Sequence, residues 1–286
     1  MLSHTSLVFG IAGYPLGHSL SPVIHNWVYK EIGLNASYQA WATPPDSLEN
    51  FVHNVRETPL NGVSITIPHK QSIVQYIDKL TPLAAQVGAV NTLFWKDARL
   101  AGANTDVLGF MDPLKERGFR PTAVLVLGAG GASRAVLAGL CELPMRPQIF
   151  ISARSMDKAI KISNDFGVRY LNWSERGKAR VNLIVNTTPV GMKGGPAPKA
   201  SPLCVEEFTA IGRGNESCLA YDLVYNPLET PFLTAAKAAA WKVQDGLDML
   251  IAQGLEQIKL WTGIIELPAK SQIRNMLVEQ GFVSFD

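Results

Sequence analysis

The chain of 286 residues is poor in the features that mark most specialised protein classes. Its three cysteines, Cys141, Cys204 and Cys218, form no Cys-x-x-Cys pair, which argues against a disulfide framework and fits a reducing compartment. Lys and Arg (26) nearly balance Asp and Glu (24) and are dispersed, so a net charge of +2 offers no basic footprint for nucleic acid. His18, His25 and His69 lie near polar clusters, but no spacing marks a metal site, and they read as structural hydrogen-bonders. No apolar run is long enough to span a bilayer. The start has no basic n-region, and its apolar run Leu7 to Ala12 is too short for a signal-peptide core. No repeat or low-complexity tract appears. What remains is ordinary globular material, 47% hydrophobic and 17% charged, long enough for two domains or one large α/β unit. We expect a soluble, cytoplasmic protein with no metal, nucleic acid or membrane partner.

Strand and helix patterns alternate along the chain, which implies parallel pairing. Leu7 to Ala12 reads as a buried strand closed by Gly13 and Pro15. Ser21 is placed to cap a helix with Pro22 in its first turn, and Gly33 ends it. Tyr38 to Ala42, Gly62 to Ile67 and Arg99 to Ala103 read as strands, and Leu48 to Glu57 as a helix. A second unit starts near Phe110. Its strands are Val124 to Leu127, Gln148 to Ser152, Val181 to Asn186 and Cys218 to Val224. Its first helix is Ala132 to Leu143, and residues 191–202 form a Gly/Pro-rich surface loop. Phe232 to Trp241, Gly246 to Thr262 and Pro268 to Gln280 are helical. Hinge motion is expected where the two units join, near Phe110 and Ala240.

Three polar clusters interrupt the apolar first half: His18-Ser19-Leu20-Ser21-Pro22, Thr66-Ile67-Pro68-His69-Lys70 and Asn104-Thr105-Asp106. Together they suit a small, hydroxyl-rich, anionic substrate. Lys70 follows a strand-ending proline, at the strand end where open α/β sheets place ligands. Reducing a ketone needs a group that protonates the nascent alkoxide, and a lysine positioned by a carboxylate such as Asp106 can serve. Asp106 also suits a helix N-cap near Val107. Ser19 and Ser21 at a helix start can receive a carboxylate, and Asn91 can both donate to and accept from ring hydroxyls. Further on, Gly128-Ala129-Gly130-Gly131-Ala132-Ser133 follows a strand and opens a helix, the arrangement that cradles a dinucleotide pyrophosphate. The next strand ends at Ser152-Ala153-Arg154-Ser155, where Arg154 in place of a carboxylate favours NADP over NAD, with serine hydroxyls as added donors.

In combination these segments resemble the shikimate dehydrogenase family. The carriers are Gly13-Tyr14-Pro15, His18-Ser19-x-Ser21-Pro22-x-x-His25-Asn26, Thr66-x-Pro68-x-Lys70, Gly88-Ala89-Val90-Asn91-Thr92 and Gly102-x-Asn104-Thr105-Asp106-x-x-Gly109. The glycine turn with Arg134, then Asp222, Tyr225, Thr230-Pro231-Phe232-Leu233, Asp245-Gly246, Gln253-Gly254 and Trp261-Thr262-Gly263 follow in order, so the resemblance spans nearly the whole chain.

The resemblance implies NADPH-dependent reduction of 3-dehydroshikimate to shikimate, toward chorismate and the aromatic amino acids. It implies Lys70 and Asp106 as catalytic pair and Ser19 and Ser21 at the substrate carboxylate. Thr66, Asn91, Asp106 and Gln253 fall at the ring hydroxyls, with Tyr225 in the same pocket. Gly128, Ala129, Gly130, Gly131, Ala132, Ser133, Arg154, Ser155, Thr187 and Gly246 fall at the cofactor. The implied fold is α/β with two domains. An N-terminal substrate domain with a mainly parallel sheet, residues 1–109 completed by 241–286, carries an inserted Rossmann NADP-binding domain, residues 110–240; the protein is a monomer or homodimer. Two departures bear on specificity. Ser64 stands where the family commonly has Asn, which leaves room for quinate, and Ala153-Arg154-Ser155 replaces Asn-Arg-Thr, which leaves NAD possible. Two other readings are a relaxed quinate/shikimate dehydrogenase and a non-catalytic metabolite sensor. A glutamyl-tRNA reductase is excluded, because its chemistry needs an upstream cysteine and none precedes Cys141.

Overall fold

The computed structural model describes residues 6–17, 19–58, 60–214 and 217–284; His18 of the first polar cluster lies outside them. The chain divides into two compact units, residues 1–109 with 251–276 and residues 110–250 with 277–286.

The first unit contains β1 (Leu7–Gly13), α1 (Ser21–Glu31), β2 (Ala36–Ala42), α2 (Leu48–Glu57), β3 (Gly62–Ile65), β4 (Lys79–Leu80), α3 (Pro82–Val87), β5 (Thr92–Lys96) and β6 (Arg99–Ala103). Its sheet runs β2-β1-β3-β5-β6-β4. β1 is parallel to β2 and β3, and β4 to β6, whereas β5 is antiparallel to both β3 and β6. The antiparallel insert has a local cause. Asp97 and Ala98 both take positive φ (52° and 57°), the geometry of a two-residue hairpin turn. Leu48, Val52 and Val55 recur at helical spacing and put one face of α2 onto the core of Val63, Ile65, Ile73 and Leu93. α3 shows its boundaries plainly: Thr81 caps it through Ala84 N, Pro82 starts it, and Gly88 at φ 64° ends it.

α4 (Asp106–Glu116) leads from the first unit into the second. There follow β7 (Ala123–Leu127), α5 (Gly131–Cys141), β8 (Gln148–Ser152), α6 (Met156–Phe166), β9 (Arg169–Tyr170) and β10 (Leu183–Asn186). α7 (Val205–Gly212), β11 (Leu219–Asp222), α8 (Pro231–Ala238) and β12 (Lys242–Gln244) complete the sheet region, and α9 (Leu247–Thr262) and α10 (Lys270–Glu279) close the chain. Strand order is β12-β11-β10-β7-β8-β9, with every pairing parallel. This is the doubly wound dinucleotide-binding order, reversing between β7 and β10. Alternation along β7 serves both faces: Val124 and Val126 join one core with Leu137 and Ile151, while Leu125 and Leu127 join another with Phe208 and Phe232.

The sequence places the return to the first unit at residue 241, whereas the compact units divide after 250, and 277–286 group with the second. Pairing explains the shift. The helix expected to reach Trp241 stops at Ala238, so that Lys242–Gln244 can extend and pair with Leu219, Ala220 and Tyr221. Leu228 N donates to Ser284 O at 2.8 Å, tying the terminal segment to the same unit. Among the described residues no helix is long and apolar enough to cross a membrane.

Candidate active site

In the first unit three strand ends deliver polar side chains to one place. Lys70 follows β3, Asn91 immediately precedes β5, and Asp106 follows β6 as the first residue of α4. Lys70 Nζ donates to Asp106 Oδ2 at 2.6 Å, with the two side chains only 17% and 6% exposed. Such a charge-assisted bond in a half-dry setting is stronger than a surface ion pair. Asp106 Oδ1 accepts from Asn91 Nδ2 at 2.9 Å. Asn91 Nδ2 also faces Thr105 Oγ1 at 2.9 Å and Gln253 Oε1 at 3.3 Å. Asn104 orients the segment: its Nδ2 donates to Ala89 O at 2.9 Å, and its Oδ1 accepts from Asp106 N at 3.1 Å. The sequence expectation that Asp106 caps α4 is thus corrected. Asn104 and the Thr105 carbonyl serve the helix start, and the Asp106 carboxylate is left for Lys70 and Asn91.

Ser21 is corrected likewise. α1 begins at Ser21 itself, and its N-cap is Leu20, with no side-chain cap. The Ser21 side chain is buried, and its backbone carbonyl lies 2.8 Å from His25 Nδ1. Ser19 is half-buried, its Oγ 3.4 Å from Ser21 N. Thr66 is half-buried and its hydroxyl has no partner among the described residues, which leaves it open to a ligand. His25 is a buried structural histidine: Nδ1 lies 2.8 Å from Ser21 O, the ring stacks on Tyr38, and burial lowers its pKa to about 4. His69 Nε2 lies 2.6 Å from Thr43 O. Ser64 is buried, accepts from Tyr38 at 2.6 Å and donates to Gln257 Oε1 at 2.7 Å. A separate groove of about 700 Å³, lined by Trp41, Phe51, Asn54 and Leu60, has no titratable side chain in its lining and none of the site residues. Among the described residues no cluster of His, Cys, Asp or Glu is arranged to hold a metal.

The second unit carries the glycine turn between β7 and α5. Gly128 has φ +117°, and a Cβ there would overlap Thr187 Oγ1. Thr187 is held in place because its hydroxyl donates to Leu127 O at 2.7 Å, so it shapes the turn. Gly130 is the opposite case: it is exposed, and a Cβ would meet nothing within 4 Å. Gly131 and Ala132 are half-buried in the first helical turn, where backbone N–H groups have no intrahelical acceptor. Ala129 is half-buried, and Ser133 is fully buried with its hydroxyl donating to Gly130 O at 2.7 Å, so its side chain serves the turn. Open space above free N–H donors at a helix start fits an approaching pyrophosphate.

Arg154 and Ser155 are exposed at the end of β8, and Arg154 has no ion pair or hydrogen bond among the described residues. Lys158, in the first turn of α6, is also exposed and unpaired among them. Two unpaired cations at a helix N-terminus, where the dipole disfavours them, suit an anion held between them. Lys158 is absent from the residues expected on sequence, although its place one turn after Arg154 is a usable signal. Ser152, expected to help there, is buried and turned away from solvent. Gly246 has a packing role: a Cβ would overlap the Leu223 carbonyl oxygen and sit 2.8 Å from Val224 O. Tyr225 is half-buried, just past Asp222. Asp222, absent from the expected site residues, is fully buried and accepts from Asn186 Nδ2 at 2.9 Å, Val224 N at 3.0 Å and Thr230 Oγ1 at 2.6 Å. Burial nevertheless raises its pKa to about 7. Asn186 in turn accepts from Thr188 Oγ1 at 2.6 Å, so the network fixes the loop after β10.

Residues 11–93 match the family model described as shikimate dehydrogenase substrate binding domain, and residues 246–271 match that of the shikimate 5'-dehydrogenase C-terminal domain. A shikimate dehydrogenase (NADP(+)) of Oleidesulfovibrio alaskensis is 47% identical over 261 residues, 91% of each chain. One of Maridesulfovibrio salexigens is 42% identical, covering 96% of this chain and 97% of its own. Among solved structures, the shikimate 5-dehydrogenase of Thermus thermophilus in complex with NADP(H) and shikimate has a TM-score of 0.83 at 40% identity, covering 96% of this chain and 99% of its own. The Listeria monocytogenes shikimate 5-dehydrogenase, in complex with shikimate and NAD, has a TM-score of 0.80 at 28% identity, covering 95% and 96%.

Proposed function

The chain belongs to the shikimate dehydrogenase family, and from that premise we propose that Lys70 and Asp106 are the catalytic pair of its first unit. Its activity is the reversible NADP-dependent interconversion of 3-dehydroshikimate and shikimate, an oxidoreduction on the route to chorismate and the aromatic amino acids. The observation that carries the assignment of roles is the 2.6 Å Lys70–Asp106 contact inside a buried polar cluster. NADPH, when bound, supplies the hydride that reduces the 3-keto carbon. Lys70 Nζ delivers the proton to the oxygen on which negative charge develops, and solvent reprotonates it. Asp106 holds Nζ in place and, with Asn91, Thr66 and Gln253, accepts from and donates to the ring hydroxyls. Ser19 and Ser21 receive the carboxylate at the start of α1.

The glycine turn from Gly128 through Ser133 takes the pyrophosphate on the free amides around Gly130, bounded by Thr187 and by the close packing at Gly246. Arg154, with Ser155 and Lys158, takes the 2′-phosphate and so sets the preference for NADP. Shikimate is preferred over quinate, because the Ser64 hydroxyl is already used by Tyr38 and Gln257 and has no free donor for an extra substrate hydroxyl. With three free cysteines, we assign the enzyme to the reducing cytoplasm. The test is a four-way assay, shikimate or quinate against NADP or NAD. Turnover should be fastest with shikimate and NADP; equal kcat/KM for quinate would refute the role given to Ser64.

A further inference from the structure

Beneath the Lys70–Asp106 pair lies a chain of hydrogen bonds whose direction is fixed at Gln257. Its amide nitrogen lies 3.3 Å from the backbone carbonyl of Asn91, which can only accept, and 3.0 Å from Thr92 Oγ1. The Gln257 oxygen must therefore face Ser64, whose hydroxyl donates to it at 2.7 Å. Ser64 has then used its proton and accepts from Tyr38 at 2.6 Å. Burial raises the Tyr38 pKa and keeps this phenol a donor. On the other side Thr92, one lone pair taken by Gln257, donates to Asn91 Oδ1 at 2.8 Å. Thr105 N donates to the same oxygen at 2.8 Å. With Oδ1 held from two sides, Asn91 Nδ2 is turned toward Asp106 Oδ1.

We propose that Gln257 is a positioning residue for the Lys70–Asp106 pair, acting through Thr92 on the side-chain amide of Asn91. Ser64, Asn91, Thr92 and Gln257 are all buried, so water does not replace a lost member. If the Asn91 amide turned over, its oxygen would face the Asp106 carboxylate. A charge-assisted donor would become a repulsion beside the reacting atoms, in the part of the molecule where small displacements are costly. Gln257 lies one turn after Gln253 on the same face of α9, so one helix supplies both a site residue and the group that orients the site. The inference rests on Lys70 and Asp106 being the catalytic pair.

The test compares Gln257→Met, Thr92→Val and Thr92→Ser in steady-state shikimate oxidation, with Lys70→Ala alongside. Gln257→Met and Thr92→Val should each lower kcat roughly tenfold, the scale of losing one orienting buried hydrogen bond, while KM for NADP stays unchanged. Thr92→Ser keeps the hydroxyl and should restore kcat to within about twofold of wild type. If Gln257→Met does not fold, the near-isosteric Thr92→Val decides. The proposal is overturned by wild-type kcat in a folded Gln257→Met or Thr92→Val protein, even one with a lowered Tm, or by failure of Thr92→Ser to rescue. Retained activity in Lys70→Ala would instead remove the catalytic pair on which it rests.

Discussion

Replacing Gly130 by alanine separates what the glycine turn does for folding from what it does for the cofactor. Gly130 sits at φ −111°, ψ −169°, an extended conformation open to any residue, and a methyl there would meet nothing within 4 Å. Gly130→Ala should therefore cost no stability and gain about 0.4–1 kcal/mol by restricting the unfolded chain. Gly128→Ala is the contrasting case. Its φ of +117° costs an alanine about 1–2 kcal/mol. Pushing Thr187 off its 2.7 Å bond to Leu127 O costs about 1 kcal/mol more. The Gly128 variant should lose about 2–3 kcal/mol in a urea melt. In binding the order reverses. The Gly130 methyl fills the space through which a pyrophosphate reaches the first-turn amides, and losing even one charge-assisted bond, about 2 kcal/mol, weakens NADP roughly thirtyfold by calorimetric titration. A Gly130→Ala protein that binds NADP like wild type refutes the cradle; one that unfolds refutes the geometry.

Two further outcomes are expected. Arg154→Ala should raise KM for NADP by roughly ten- to hundredfold and leave KM for NAD nearly unchanged, since only the 2′-phosphate is lost as a partner; an equal rise for both coenzymes would remove Arg154 from that role. Asp222 makes stability fall as pH rises. Its folded pKa of about 7 stands above the ordinary 3.8, so below about pH 4 it costs nothing. Between about pH 4 and 7 the unfolded chain ionises first, and the folded state loses up to about 4 kcal/mol. Asp222→Asn should flatten this part of the pH–stability curve, and an unchanged slope by urea melts at several pH values would contradict the assignment.

What can be read from the chain follows from how local each signal is. The strand-turn-helix at Gly128–Ser133 is written in consecutive residues, and so are the strand ends that deliver Lys70 and Asp106. The β5–β6 hairpin is harder, because its turn is Asp97-Ala98 without glycine, and Ala98 takes positive φ against its preference. β12 borders a stretch that reads as helix because alanines run up to Trp241, and its three residues are strand only by pairing with β11. Ser21 and Asp106 both look like helix caps, but Leu20 takes the cap position of α1 and Lys70 claims the Asp106 carboxylate. Ser64 looks like a space-making substitution because its partner, Gln257, lies 193 residues away on α9. No spacing rule reveals such a pairing, nor the buried Asp222–Asn186–Thr230 network.

The central claim is that Lys70, held by Asp106, moves the proton. The most direct test is kcat for NADP-dependent shikimate oxidation by Lys70→Ala, followed by NADPH absorbance, with NADP binding and the urea melt measured on the same protein. Loss of roughly 10²–10⁴ in kcat, the range for a general acid–base group, with binding and stability kept, is the expected result. A folded Lys70→Ala enzyme that turns over within about tenfold of wild type would contradict the account.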